Sequence, residues 1–284
     1  MALNLKTLGI RSLSAAVFVI LLVGSVLWNY YSFFIFFFAV AILGLKEFYK
    51  IAVKLGAHPF KFFGFAAAIL ILVSCFQYKL VFPDSTSAFL TGSESVFFPV
   101  LIISSFLILS IPVFKKENAT ITDSIYTIGG IIYTVMPFVL LNFVVNRNDF
   151  NPYPLLAIIV LIWSNDTFAY LGGSLFGKHK MIERISPGKT WEGTAIGVIV
   201  TFGISFIIPG FISGIDGLWP VLGILVPIVA TIGDLIESKL KREAGIKDSG
   251  AIMPGHGGIL DRFDSLIFVS PFIYAVFKIY SCIA

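Results

Sequence analysis

Apolar and polar residues follow one another along this chain in long blocks. Nine stretches of about 20 mostly apolar residues, the length that crosses a bilayer as a helix, are separated by short polar connections. The pattern predicts transmembrane helices over residues 10–28, 31–53, 60–82, 96–114, 124–145, 153–174, 191–212, 218–239 and 263–283. We therefore expect an all-α integral membrane protein with about nine spans.

The first stretch has an alternative interpretation as a cleaved signal peptide. No small-residue cleavage site follows it, and another apolar stretch begins at once. We therefore interpret residues 10–28 as a span.

The composition agrees with a membrane protein. Of the 284 residues, 57% are hydrophobic and 13% are charged, whereas soluble domains carry about 25% charged residues. The two cysteines, Cys75 and Cys282, lie far apart in apolar surroundings and lack the spacing of a metal or redox motif.

The placement of the basic residues predicts an orientation. If the N-terminus is cytoplasmic, nine spans place 17 of the 20 Lys and Arg residues on the cytoplasmic side and only Lys79, Arg147 and Lys278 on the other. This imbalance is what the positive-inside rule requires, so we expect a cytoplasmic N-terminus.

The two parts of the chain differ in polar content. Residues 1–120 hold about four strongly apolar spans, and residues 121–284 hold about five spans with most of the candidate chemistry. The basic residues near 46–61 are interpreted as contacts with anionic lipid headgroups, with phosphate binding as the alternative. We expect the catalytic region within residues 121–284.

Two polar clusters lie within or beside the sixth and seventh spans. The first is "WSNDTFAYLGGSLFGKHK" (163–180), where four consecutive polar residues including Asp166 interrupt an apolar span and glycines permit close helix packing. The second is "ERISPGKTWEGT" (183–194), in which Ser186–Gly188 is interpreted as a turn. Lys189 and the following Thr190 begin the next helix, where backbone N–H groups and a lysine suit phosphate.

The third cluster spans two consecutive helices. Asp234, Ser238 and Lys241 are spaced i, i+4 and i+7, which places them on one helix face. Asp261 and Asp264 are spaced i and i+3 at the start of the next helix. A return connection brings the two acidic faces together, and such faces suit an oxygen-ligated cation such as Mg²⁺.

Glycines and basic residues surround these acids. The connection contains Pro254-Gly-His-Gly-Gly258, whose glycines permit positive φ, and the nearby cations are Lys241, Arg242, Lys247 and Arg262. Structural ion pairs or an ordinary basic loop are the alternative, but neither explains Asp234, one turn inside an apolar span, where charge is costly. The arrangement predicts a site for a metal and a polyphosphate.

These motifs resemble those of the phosphatidate cytidylyltransferases, also called CDP-diacylglycerol synthases. The resemblance rests on Trp163–Tyr170, on Ser186–Gly193, and on the pattern formed by Ser238, Lys241, Arg242, Lys247, Asp248, Pro254, His256, Gly257, Gly258, Asp261, Arg262 and Asp264. The N-terminal half is similar only in having several spans.

The resemblance implies transfer of CMP from CTP to phosphatidate, with Mg²⁺ and the number of cations left open. It implies metal ligands at Asp234 and Asp261, with Asp264 and Asp166 as neighbouring candidates. From the residues themselves we expect Asp264 among the metal ligands and a catalytic role for Asp234, Asp261, Lys241, Arg242 and His256. Substrate-binding residues are expected at Asp166, Lys189, Ser238, Lys247, Asp248, Gly257, Gly258 and Arg262. For His256, donation to a leaving oxygen and a role in loop shape are both open.

The resemblance further implies a bacterial inner-membrane protein that faces the cytoplasm with its active site and forms a homodimer. CTP, phosphatidate and membrane lipids are the expected partners, and nucleic acid is not. A CTP-dependent polyprenol kinase is the closest alternative, and a secondary transporter a more distant one, since the halves differ too much to suggest a repeat. A CDP-alcohol phosphatidyltransferase is excluded because its DG-x-x-AR element is absent.

Overall fold

The computed structural model describes residues 5–81, 93–115, 119–146, 150–212, 216–252 and 257–283. Within these ranges the helices are α1 (Leu5–Trp28), α2 (Tyr30–Lys54), α3 (Lys61–Val81), α4 (Ser93–Phe114), α5 (Ile121–Thr134), α6 (Met136–Val145), α7 (Tyr153–Phe176), α8 (Trp191–Ser205), α9 (Trp219–Glu243) and α10 (Leu260–Ile283). Two strands, β1 (Lys180–Ile182) and β2 (Ser186–Thr190), and two short 3₁₀ helices at Ile208–Gly210 and Asp216–Leu218 complete the described elements.

Most of these helices are long and apolar enough to cross a membrane. Seven segments of the described residues meet both conditions: Tyr30–Lys54, Val96–Phe114, Ile121–Val145, Tyr153–Phe176, Trp191–Gly210, Trp219–Glu243 and Leu260–Cys282. Shorter apolar segments, Ser12–Trp28 and Lys61–Cys75, lie in α1 and α3. Each of the nine predicted stretches overlaps described helices, with 124–145 divided between α5 and α6. The prediction of an all-α integral membrane protein is confirmed. The side on which the N-terminus lies stays a prediction.

Local sequence explains several helix boundaries. Asn29 and Ser32 form a capping box at the start of α2, with the Ser32 N–H donating to Asn29 Oδ1 at 2.9 Å. Pro137 interrupts the predicted 124–145 helix, since it lacks an N–H to donate one turn back, and α5 therefore ends at Thr134 before α6 begins at Met136.

The chain divides into two units. The first consists of Met1–Phe143 with Asp248–Leu260, and the second of Val144–Lys247 with Asp261–Ala284. This structural division differs from the predicted functional division at residue 120, which stays a prediction. The connection between α9 and α10 thus belongs largely to the first unit, although both flanking helices carry candidate residues in the second.

In the first unit, α2 packs against α1, α3 and α5. The buried Tyr49 side chain on α2 donates to the Thr127 carbonyl of α5 at 2.9 Å. This bond supplies a partner for a hydroxyl that lies in an apolar interior, where an unpaired polar group is costly.

In the second unit, α7, α8 and α9 pack together. Glycines on α7 and α8 face each other, and a Cβ placed on Gly193 would lie 2.5 Å from the Ala169 carbonyl and 2.8 Å from the Gly173 Cα. The interpretation of the α7 glycines as packing residues is therefore supported by the close approach of the two helices.

The connection between α7 and α8 is an antiparallel hairpin of β1 and β2. Ser186–Gly188, interpreted from sequence as a turn, lies instead in β2, with Ser186 opposite Ile182. The sequence interpretation was wrong because strand pairing with residues 180–182 depends on a partner that the local Ser-Pro-Gly composition does not reveal.

Candidate functional site

Three carboxylates meet in the second unit. Asp234 and Glu237 lie on α9 and Asp264 lies on α10, and their ligand atoms are all within 4.8 Å of one another. Gly233 permits this approach, because a Cβ there would lie 2.5 Å from Phe268 Cβ and 3.0 Å from the Asp264 carbonyl oxygen. The two helices therefore bring the acid of α10 against the two acids of α9.

Glu237 is the most buried member of this trio. Its side chain is 0% exposed, and Oε2 accepts a hydrogen bond from Lys241 Nζ at 3.0 Å. Oε1 is buried and has no hydrogen-bond donor among the described residues. A buried carboxylate oxygen without a partner is costly, and a bound cation would satisfy it.

Two lysines partner the acids. Lys241 Nζ donates to Glu237 and, at 2.6 Å, to Asp261 Oδ1, so it ties the end of α9 to the start of α10. Lys189, at the end of β2, forms an ion pair with Asp234. Each lysine orients at least one carboxylate through an ion pair. Each also provides a positive charge that can attract a phosphate.

Asp166 extends the cluster onto α7. Its exposed side chain lies within electrostatic range of Lys189 and Asp234. The neighbourhood of these groups thus holds five carboxyl groups, including those of Glu237, Asp261 and Asp264, against two lysines. An excess of acidic oxygen ligands fits a hard divalent cation such as Mg²⁺.

The structure brings together seven of the residues predicted from sequence. They are Asp166, Lys189, Asp234, Ser238, Lys241, Asp261 and Asp264. Ser238 Oγ donates to Asp234 Oδ1 at 3.4 Å. The spacing on α9 and α10, the polar patch on α7 and, for Lys189, the cluster at 183–194 indicated these positions.

Other predicted residues lie outside this group. Arg242 is exposed, and its guanidinium donates to the carbonyls of Ile185 and Ile246 at 3.4 and 3.3 Å. The remaining predicted side chains of this kind, Lys247, Asp248 and Arg262, are exposed.

Two of the predicted glycines can be described. Gly257 has φ +82°, as the glycine-rich connection predicted, and Gly258 is buried. His256 lies outside the described residues.

Glu237 was missed by the sequence reasoning. It stands three residues after Asp234 and four before Lys241 on the same helix face, so the signal was present. A Glu–Lys pair at i, i+4 also commonly stabilises a helix. The sequence alone does not distinguish that role from the role of a metal ligand.

The Gly-Lys-Thr element has a local structural explanation. The Thr190 hydroxyl accepts from the Gly193 N–H at 3.2 Å and caps α8. Glu192 accepts from the N–H groups of Lys178 and His179 and approaches His179 Nδ1 at 2.5 Å. The Thr190 hydroxyl is therefore engaged at the start of α8. Within this motif, Lys189 is the residue that forms an ion pair with the acid cluster, through Asp234.

Fold and site together define an integral membrane protein with a cluster of carboxylates and lysines suited to a metal and a phosphate. The chain belongs to the cytidylyltransferase family, whose model matches residues 9–280. It is 33% identical over 267 residues to the phosphatidate cytidylyltransferases of Staphylococcus haemolyticus and Staphylococcus saprophyticus, covering 93% of this chain and 96% of each relative. The enzyme of that name from Staphylococcus aureus is 38% identical over 175 residues, which cover 61% of this chain and 66% of that protein.

Proposed function

We propose that this protein transfers CMP from CTP to phosphatidate, giving CDP-diacylglycerol and diphosphate. The observation that carries the proposal is the Asp234–Glu237–Asp264 cluster with Lys189 and Lys241 beside it, in a chain whose relatives bear the name phosphatidate cytidylyltransferase. Acids that hold a cation and lysines that meet phosphate are the groups that a reaction between two polyanions requires.

The lipid phosphate supplies the nucleophile, so no covalent enzyme intermediate is needed. One of its oxygens attacks the α-phosphorus of CTP in line, and the bond from that phosphorus to the oxygen bridging to the β-phosphorus breaks. The electron pair of the broken bond leaves with diphosphate. Lys189 and Lys241, together with exposed Arg242, Lys247 and Arg262, offset the negative charge of the two substrates.

Asp234, Glu237 and Asp264 are the residues that would hold Mg²⁺, with Asp261 as a further ligand and the number of cations left open. When bound, Mg²⁺ would neutralise phosphate charge and polarise the phosphoryl oxygens. The ion pairs of Lys189 with Asp234 and of Lys241 with Asp261 keep these carboxylates oriented. For His256, donation of a proton to a leaving oxygen and a role in the shape of the connection are both retained as proposals.

We further propose that the protein acts in the bacterial inner membrane as a homodimer with its site facing the cytoplasm. The excess of basic residues on one side of the predicted topology supports this orientation. CTP would then reach the site from the cytoplasm, and phosphatidate would reach it laterally from the bilayer.

Labelled CTP tests the reaction directly. Purified protein in mixed micelles, with phosphatidate and Mg²⁺, is expected to move α-phosphorus label into lipid and to release γ-label as diphosphate. Omission of phosphatidate or Mg²⁺ should abolish the transfer. Appearance of γ-label in lipid would instead identify a CTP-dependent lipid kinase, and no transfer of either label would overturn the proposal.

The metal ligands are tested by two substitutions. Asp234→Ala and Asp261→Ala are each expected to abolish CDP-diacylglycerol formation while the protein is still found in the membrane at wild-type amounts. Full activity in either variant would remove that residue from the ligand set.

A further inference from the structure

Glu47 is a buried acid on α2 of the first unit. It lies on α2, a helix long and apolar enough to span a membrane, and only 1% of its surface is exposed. An ionisable side chain in such a position is costly and needs partners. No ion pair to Glu47 is present in the described part of the chain.

Among the described residues, Glu47 accepts hydrogen bonds from three neutral donors, all far away in sequence. Oε2 accepts from Ser249 Oγ at 2.8 Å and from the Leu260 N–H at 3.0 Å. Oε1 accepts from the Ile259 N–H at 3.1 Å. Hydrogen bonds to an ionised carboxylate are stronger than those between neutral groups, so the Glu47 side chain holds Ser249 on one side and Ile259 and Leu260 on the other.

Two glycines make room for this carboxylate. A Cβ on Gly250 or on Gly258 would collide with the Glu47 side chain, and on Gly258 it would collide with Ser249 Oγ as well. Gly258 belongs to the glycine-rich element identified in the sequence. Its buried position beside Glu47 explains why a residue without a side chain is needed there. The backbone at Gly250 and at Gly258 thus lies close against one acid.

The anchored residues adjoin candidate site residues along the chain. Lys247 and Asp248 directly precede Ser249, and Asp261 directly follows Leu260. Leu260 is also the first residue of α10, so its N–H is one of the donors that a helix leaves unpaired at its start. A negative carboxylate there stabilises the helix N-terminus.

We propose that Glu47 is a positioning residue for the reaction, acting through its hydrogen bonds to Ser249, Ile259 and Leu260. Its carboxylate determines where α10 begins, and the acids at the first and second turns of α10 follow from that start because a helix is a stiff element. This role rests on the proposed cytidylyltransferase function. It extends the functional residues to α2, outside the region in which the sequence placed the catalytic groups.

The informative variant is Glu47→Gln, which keeps the volume of the side chain. Its amide oxygen can still accept from Ser249 and Leu260, but its NH₂ group then faces the Ile259 N–H, so two donors oppose each other. We expect kcat per folded molecule to fall about 10- to 100-fold, as for small displacements of reacting groups. The Mg²⁺ concentration that gives half-maximal rate is expected to rise about 10-fold, as for lost support of metal ligands.

Ser249→Ala is a milder second variant, because it removes one of the three donors and leaves the carboxylate. It is expected to shift both quantities in the same direction by smaller factors. Since Glu47→Ala removes the shared acceptor of these three hydrogen bonds and can fail to fold, the Gln and Ser249→Ala variants keep the test decisive.

Asp123→Asn is the matched control. Asp123 is also a buried acid of the first unit, and it accepts from the His58 N–H at 2.6 Å and from the Thr120 N–H and hydroxyl at 2.9 Å. It completes the capping box of α5 with Thr120 and adjoins no candidate site residue in sequence. We expect this variant to lower thermal stability while leaving kcat per folded molecule and the Mg²⁺ requirement unchanged.

Thermal unfolding with and without Mg²⁺ supplies a readout independent of activity. Mg²⁺ should raise the unfolding temperature of wild type and of Asp123→Asn, and raise that of Glu47→Gln less. If wild type forms CDP-diacylglycerol and Glu47→Gln matches it in kcat and Mg²⁺ requirement, the role of Glu47 is overturned alone. If wild type forms no product, the proposed function is overturned, and the role of Glu47 with it.

Discussion

Glu237 illustrates how burial turns an ordinary residue into a candidate ligand. Glu–Lys pairs at i, i+4 on exposed helices contribute only a few tenths of a kcal/mol. Glu237 is fully buried instead, with one oxygen on Lys241 and the other without a donor among the described residues. The second oxygen is available to a cation, and this availability is a property of the packed structure.

Glu237→Gln tests that assignment. The change keeps the shape of the side chain but removes its charge, so we expect at least about a 100-fold loss of activity, in line with the loss of a charge-stabilising group, and a raised Mg²⁺ requirement. Steady-state assays across a Mg²⁺ titration measure both effects.

Glu243→Gln on the same helix is the matched control for that change. Glu243 pairs with Lys239 at 2.7 Å, and both side chains are about half exposed, so its loss should leave activity and Mg²⁺ requirement near wild type. Equal behaviour of the two variants would remove Glu237 from the metal site.

The α7–α8 pair shows why small residues are needed at particular turns of a helix. Gly193 lies against the backbone of α7, whereas a methyl group added to Gly203, further along α8, would meet no atom of the described residues within 4 Å. In the sequence, both residues are glycines within an apolar stretch, so composition does not show which of them packs against another helix.

We predict that Gly193→Ala destabilises the protein by about 1–3 kcal/mol, because the added methyl group forces the helices apart. Gly203→Ala is expected to leave stability unchanged or raise it slightly, since alanine is the better helix former. Thermal unfolding in detergent compares the two variants. A lower unfolding temperature for Gly203→Ala than for Gly193→Ala would contradict the packing explanation.

The hairpin between α7 and α8 marks a limit of local interpretation. Pro187 and Gly188 are typical turn residues, yet they lie in β2. The partner strand, Lys180–Ile182, precedes the motif, and the Trp191 N–H donates to the His179 carbonyl at 3.0 Å where the hairpin meets α8. Pairing across the hairpin outweighs the local preference for a turn.

The orientation in the membrane is a prediction that rests on all nine predicted spans together. Nine spans with a cytoplasmic N-terminus place residue 284 on the outer side. Alkaline phosphatase fused after residue 284 is therefore expected to be active, and green fluorescent protein fused there to be dark.

The same reporters inserted at Gly56, in a connection predicted to be cytoplasmic, supply the control and should give the opposite result. An active phosphatase at Gly56 would contradict the predicted topology.

The amino-acid sequence by itself determined the class of protein and much of the site. Apolar blocks of about 20 residues identify spans because backbone N–H and C=O groups in lipid have no water to bond and must form their hydrogen bonds within the helix. Regular spacing on α9 and α10 likewise placed Asp234 and Lys241 on one helix face, and Asp261 and Asp264 near each other at the start of the next.

Tertiary structure decided which of these acids meet. Asp234 joins Glu237 and Asp264, while Asp261 is held by Lys241. It also decided that Glu47, far earlier in the chain, receives the hydrogen bonds of Ser249, Ile259 and Leu260. Sequence periodicity reports which face of a helix a residue occupies, but the partner that covers that face depends on how distant elements pack. For buried charges, that partner determines the role.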